Sequence, residues 1–183
     1  MLAEGLALRE VKLVRTRRIG DHRGYFAETY NRRRFADAGI EADFVQDNES
    51  HSAKPGTLRG LHYQVPPHAQ AKLVRVLRGR IYDVAVDIRR ASPNYGRFVA
   101  AELDADRGDQ IFIPYGFAHG FVTLEPDTVV FYKVDAFHAP AAERGIAWND
   151  PAIGIDWPLQ PGALTLSEKD RANPTLADAE VFD

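Results

Sequence analysis

The chain has 183 residues, 45% of them hydrophobic and 27% charged, with a formal net charge of −3 at pH 7. That length supports one sizeable core, read as a single domain over residues 1–183, and the charge balance points to neither a nucleic-acid nor a membrane partner. The absence of cysteine excludes disulfides, thiolate metal sites and a cysteine nucleophile, and no apolar run reaches signal-peptide or membrane length, so a cytoplasmic location is expected.

In chain order, the first predicted element is a short helix in "NRRRFADAG", with Asn31 as its N-cap and Gly39 as its stop. From about residue 57 to 134 come seven short β-branched and aromatic runs: "TLRGLHYQ", "AKLVRVLRG", "RIYDVAVDI", "RFVAAEL", "DQIFIPYG", "HGFVTLE" and "TVVFYKV". Strands so closely spaced predict an antiparallel sandwich or barrel. "LRGR" places Gly79 where a positive φ is cheap, and "EPD" at 125–127 turns the chain before the last strand. The proline- and glycine-rich segment 138–162 reads as a connection over the surface. "SEKDRA" reads as a second short helix opened by Ser167, with Asp170 as a capping-box partner.

Two segments resemble the paired signatures of the cupin superfamily, whose metal-binding members take two histidines and a glutamate from the first motif and one histidine from the second. The second motif is complete in "GDQIFIPYGFAHG", with Gly108, Pro114, Gly116 and His119. The first opens with Gly56 and His62, but Gln64 stands where the second histidine is expected and Lys72 where the acid is expected. An ammonium in place of a carboxylate removes an anionic ligand and repels a divalent cation. No metal is therefore expected, and the pocket should favour a developing anion.

Each of these residues has a plainer reading when taken alone. His62 could be a hydrogen-bonded sheet residue, Lys72 a solvated charge, Tyr132 a barrel-filling aromatic and Asp170 a helix cap. The chemical reading rests on convergence, because a base, a cation and a phenol all lie on strands that one barrel would bring around one cavity.

The whole chain resembles the dTDP-4-dehydrorhamnose 3,5-epimerases. The resemblance is carried, in order, by "DHRGYFAETY", "QDNES", "LRGLHYQ", "QAKLVRV", "PYGFAHGF", "ERGIAWNDP" and "LSEKD". It implies an all-β, cupin-type double-stranded β-helix (a jelly-roll barrel) with a few short helices, a homodimer, no cofactor and a dTDP-linked 4-keto-6-deoxyhexose substrate inverted at C3 and C5. It further implies that His62 is the general base, held by Asp170, that Lys72 faces the C4 oxygen as it becomes an enolate, and that Tyr132 returns a proton to the opposite face. His119 is implied near the sugar, with Arg23, Glu28, Gln46, Asn48, Arg59, Glu143 and Lys169 around nucleotide and sugar. Arg23 and Arg59 are the natural diphosphate partners, since a guanidinium pairs bidentately with phosphate oxygens.

Two features qualify that picture. Strict alternation puts Arg59 and His62 on opposite faces of their strand, so both serve one cavity only if the strand is irregular, and Gly60 is the expected bulge. The family usually carries "DYY" after the tyrosine strand where this chain has "AFH", so His138 takes the place of a tyrosine that stacks on thymine, with Phe137 beside it. Competing readings are a single-carbon epimerase or ketoisomerase on a related dTDP-sugar, a metal-dependent cupin oxygenase, disfavoured by Gln64 and Lys72, and a non-catalytic binding module, which would not need His62, Asp170 and Tyr132 together.

Overall fold

The computed structural model describes residues 1–183. Its strands are β1 (Leu2–Gly5), β2 (Lys12–Arg15), β3 (Ile19–Asp21), β4 (Gly24–Phe26), β5 (Gln46–Ser52), β6 (Leu58–Gln64), β7 (Lys72–Arg78), β8 (Arg80–Asp87), β9 (Phe98–Asp104), β10 (Gln110–Ile113), β11 (Phe117–Thr123), β12 (Thr128–Val134) and β13 (Glu143–Gly145). Two short helices, α1 (Arg32–Asp37) and α2 (Glu168–Arg171), complete the regular structure together with two single 3-10 turns. No helix is long and apolar enough to cross a membrane.

The strands form a six-stranded sheet, β1-β2-β10-β7-β12-β5, a five-stranded sheet, β13-β6-β11-β8-β9, and a separate hairpin, β3-β4. Every strand pair is antiparallel, and from β5 to β12 the chain passes repeatedly between the two larger sheets. This is an antiparallel barrel as the strand spacing predicts, in the jelly-roll form that the family resemblance implies, and the seven predicted strands are β6 to β12.

Alternation explains both the core and the site. The inward faces supply Val74 and Val76 from β7, Ile81 and Ala85 from β8, Phe117 and Phe121 from β11 and Val130 from β12. Burying each of the larger of these side chains contributes roughly 1.5–3 kcal/mol. The same alternation sends Lys72, Asp83, His119 and Tyr132 inward, where an uncompensated polar group is costly.

Asn31 caps α1 as predicted, accepting from the Arg34 N–H at 3.2 Å, and the helix buries Phe35 against Leu73 and Phe112. The β7–β8 turn places Gly79 at φ +79°, where an added Cβ would meet the Thr128 hydroxyl at 2.4 Å. The segment 138–162 departs from expectation. Instead of running over the surface it contributes β13, which pairs with β6 through Glu143↔Gln64 and Gly145↔His62. That pairing satisfies backbone groups that would otherwise need water, and so Ala142, Ile146 and Ile153 are buried against Leu61, Tyr63 and Val86 on the outer face of the five-stranded sheet.

Candidate active site

Between the sheets lies a cavity of about 530 Å³ whose lining includes His62, Lys72, His119, Tyr132, Asp170 and Arg59. A smaller space of about 240 Å³ adjoins it, lined by Gln46, Asn48 and His138 and sharing His62, Lys72, Tyr132 and Glu143 with the first. His62 stands on β6 in one sheet, while Lys72 and Tyr132 stand on β7 and β12 in the other.

The irregularity expected at Gly60 brings Arg59 and His62 to the same side. His119 of β11 pairs with His62, yet Phe121, two residues on, pairs with Arg59, three residues away. β6 thus carries one extra residue. Gly60 adopts φ +140°, and a Cβ there would lie 2.5 Å from Gly120 Cα. Both the conformation and the close strand approach require glycine.

His62 Nε2 lies 2.5 Å from Asp170 Oδ1, with the Asp170 side chain 5% exposed. The capping box is only half formed: Ser167 Oγ accepts from the Asp170 backbone N–H at 3.1 Å, while the Asp170 carboxylate is turned to His62. Burial pushes the Asp170 carboxyl up, but the hydrogen bond and charge of His62, helped by Ser167 and Lys169, outweigh it and hold the group below its ordinary value.

Lys72 Nζ donates to the His62 carbonyl at 3.3 Å, and burial pushes the ammonium down to about 8 against the opposing pull of Asp83 and Glu143. Burial pushes the Tyr132 phenol up, with Arg59 acting against it and Glu143 with it, so the phenol keeps its proton through neutral pH. His119 Nε2 meets Asp83 Oδ2 at 2.9 Å, and burial lowers this imidazole despite that carboxylate. Arg59 bonds the His51 carbonyl at 3.1 Å and leaves its buried Nε without a partner.

At the far end Glu143 accepts from Lys169 at 2.8 Å and faces His138 Nε2 at 3.4 Å. Gln46 donates to Asn48 at 2.8 Å and accepts from the His138 backbone N–H at 3.0 Å. Phe137 is 69% exposed and lines neither space. Gln64, at the lost histidine position, is occupied with backbone: its amide donates to the His68 carbonyl and accepts from the Ala139 N–H.

The structure leaves Arg23 and Glu28 outside this cavity. Arg23 is paired with Asp21 at the turn of the β3-β4 hairpin, which bonds to no other sheet, and Glu28 pairs with Arg34 of α1. Conversely, Ser50, Thr57, Phe121 and Thr165 line the cavity without having been singled out in the sequence, and Ser167, expected only as a helix cap, lines it too. Asp83 was missed as well, although a carboxylate at an inward position of "RIYDVAVDI" is a legible signal.

A family model described as dTDP-4-dehydrorhamnose 3,5-epimerase matches residues 5–178. The chain belongs to this family. It is therefore an isomerase of the epimerase type. The dTDP-4-dehydrorhamnose 3,5-epimerase of Pseudomonas aeruginosa is 52% identical to it over 183 residues, covering 100% of this chain and 99% of that one. Among solved structures, the epimerase of Legionella pneumophila in complex with dTDP-4-keto-L-rhamnose superposes with a TM-score of 0.92 at 42% identity, over 97% of this chain and 93% of that one. A 3′-monoepimerase from Streptomyces bikiniensis in complex with dTDP-quinovose shares the architecture at 32% identity and a TM-score of 0.86, over 95% of this chain and 87% of that one. The epimerase fold thus hosts both double and single inversion, with the double epimerases much nearer in sequence.

Proposed function

We propose that the protein inverts C3 and C5 of dTDP-4-dehydro-6-deoxy-D-glucose to give dTDP-4-dehydro-L-rhamnose. The observation that carries this reading is the opposition of His62, on one sheet and held by Asp170 of α2, to Tyr132 on the other sheet, across a cavity walled by a buried lysine.

The C4 ketone acidifies the hydrogens at C3 and C5. His62 Nδ1, which has no protein partner, takes one of them, and the bonding electrons move into the C4 oxygen to form an enolate. Asp170 fixes the tautomer that leaves Nδ1 free and stabilises the imidazolium. The Lys72 ammonium meets the new negative charge on the C4 oxygen. Tyr132 then gives its proton to the same carbon from the other face, and the configuration is inverted. His62 has gained a proton and Tyr132 has lost one, so exchange with solvent must reset both before the second carbon reacts. The steps move protons only and consume no oxidant or reductant.

His138 and Glu143, with Gln46, Asn48 and Lys169 beside them, are the groups at hand for the nucleotide end, and Arg59 is the cation for the diphosphate. Arg23 and Glu28 fit the same role in trans. The hairpin that carries Arg23 ends two residues before Glu28, pairs with no other strand and exposes Ile19, Tyr25 and Phe26, which suits a homodimer in which each copy completes its neighbour's site.

The test is proton NMR of the product formed in deuterated water. Deuterium at both C3 and C5 with both centres inverted is the expected result. Exchange at one carbon alone would replace this reading with single-carbon epimerisation, the activity of the Streptomyces bikiniensis relative.

A further inference from the structure

The short helix α2 carries Asp170 to His62, and backbone fixes the chain on both sides of it. Before the helix, Thr165 donates to the Gly56 carbonyl at 2.8 Å and accepts from the Leu58 N–H at 2.9 Å, which ties the chain to the start of β6. After it, the Pro174 carbonyl accepts from the Ala147 N–H at 2.7 Å, just beyond β13.

Between these ties one side chain rests on the sheet. Asn173 lies against Gly145, the residue of β13 that pairs with His62 in the ladder. A Cβ on Gly145 would meet Asn173 Nδ2 and Oδ1 at 2.5 Å and Cγ at 2.6 Å. Gly145 has no left-handed φ that would demand glycine, so what excludes a side chain there is the asparagine. Asn173 Nδ2 is buried without a hydrogen-bond partner, a costly state for an amide; packing rather than hydrogen bonding holds it. The other bridge from β13 to α2 is the Glu143–Lys169 ion pair, with the Lys169 side chain 59% exposed, and exposed pairs fix geometry weakly.

We propose that Asn173 and Gly145 are positioning residues for the His62–Asp170 pair: the amide, seated in the room that glycine leaves, sets how closely α2 brings the carboxylate to the ring. The inference rests on the reading of His62 as the base and Asp170 as its holder. The steric margin is small. A methyl group at 145 requires Asn173 to give way by about 1 Å before ordinary contact is restored, and rotating the terminal amide does not help because Cγ is itself too close. Asn173 follows the C-cap Ala172, whose N–H donates to the Glu168 and Lys169 carbonyls, so a push on the asparagine is passed to the turn that holds Asp170. A misplacement of about that size costs on the order of a hundredfold in rate.

The experiment compares full-length wild type, Gly145→Ala, Asn173→Ala and the double variant. Two quantities are measured: deuterium exchange at C3 and C5 of dTDP-4-dehydro-6-deoxy-D-glucose, and the proton NMR signal of His62 Nε2–H in unliganded protein labelled with nitrogen-15 histidine. That signal reports the hydrogen bond to Asp170 without turnover. Gly145→Ala should move it toward the position of an ordinary imidazole N–H and slow exchange by about a hundredfold with KM little changed. Asn173→Ala adds no atom and loses no hydrogen bond from Nδ2, yet should move the signal as well, because the support is gone. In the double variant the added methyl fills the room the amide vacates, and the signal should return with on the order of tenfold of the lost rate. An unmoved signal in folded Gly145→Ala overturns the proposal, as do single losses that simply multiply in the double variant, because a merely structural role lowers the unfolding midpoint without touching the pair. Should Gly145→Ala not fold, Asn173→Ala decides, and a wild-type signal there is refutation. Absence of sugar exchange in the wild type would remove the proposed reaction, while the His62 signal would still decide whether Asn173 seats the pair.

Discussion

Replacing Asp170 by asparagine separates the chemical reading of this residue from helix capping. The capping contact uses the Asp170 backbone N–H on Ser167 Oγ and survives the substitution. What is lost is the carboxylate 2.5 Å from His62 Nε2. Once His62 is protonated, an opposite charge about 4 Å away between centres is worth roughly 4 kcal/mol at an effective dielectric near 20. With the His62 side chain 30% exposed, solvent screening brings this to about 3 kcal/mol, or on the order of a hundredfold in rate. The amide also ceases to specify the tautomer, and the same change in a hydrolase triad costs about 10⁴ in kcat. The expected loss in the rate of deuterium exchange at C3 and C5, followed by NMR, is therefore about 10² to 10⁴. Stability supplies a control. Because the Asp170 carboxyl is held below its ordinary 3.8, its contribution is present above that pH and disappears as the pH falls through the lowered value. Wild type and Asp170→Asn should differ in unfolding midpoint at neutral pH and converge in acid. A folded variant exchanging within about tenfold of wild type would refute the dyad and return Asp170 to the role of a cap.

Tyr132→Phe should keep deuterium exchange but slow inversion, because the phenyl ring preserves packing and loses the proton; equal loss of both, with binding unchanged, would deny Tyr132 the role of donor. His138→Tyr should tighten dTDP binding in calorimetry by up to about tenfold, the worth of a stacking contact of roughly 0.5–1.5 kcal/mol. If Phe137 provides the stack instead, that variant will be silent and Phe137→Ala will raise Kd. Sedimentation should give a dimer, and a single species near the 20.4 kDa of one chain would refute it. Mixing the separately inactive His62→Ala and Arg23→Ala proteins should restore about a quarter of wild-type activity, since half the dimers carry one complete site.

The barrel strands were legible because their alternation contrasts apolar with polar residues. β5 was not, although it alternates equally well. Asn48 and Ser50 point into the cavity spaces while Asp47, Glu49 and His51 point out, so every position is polar and hydrophobic periodicity has nothing to register. β13 was hidden differently, since three residues between a 3-10 turn and a buried loop carry too short a pattern. Arg23 and Glu28 were readable from family resemblance alone, and a resemblance does not say which copy of the chain a side chain serves.

The Arg59–His62 pair shows what a local rule can carry when it fails. Alternation forbids both side chains on one face, so the requirement that both reach the cavity was itself the evidence for a bulge, and Gly60 was the one intervening residue able to supply it. The structure adds why the place is costly to alter. β11 approaches so closely that its own Gly120 would meet a Gly60 Cβ at 2.5 Å, and backbone, unlike a flexible side chain, cannot swing aside. The extra residue turns Leu61 and Tyr63 outward into the layer beneath 139–182 and His62 inward toward Asp170. A single glycine thus sets the register of His62, the placement of Arg59 beside it and the seating of the C-terminal segment that carries Asp170. The position of the His62 ring and the packing behind it are consequently one structural decision, which neither the histidine nor the arginine could make alone.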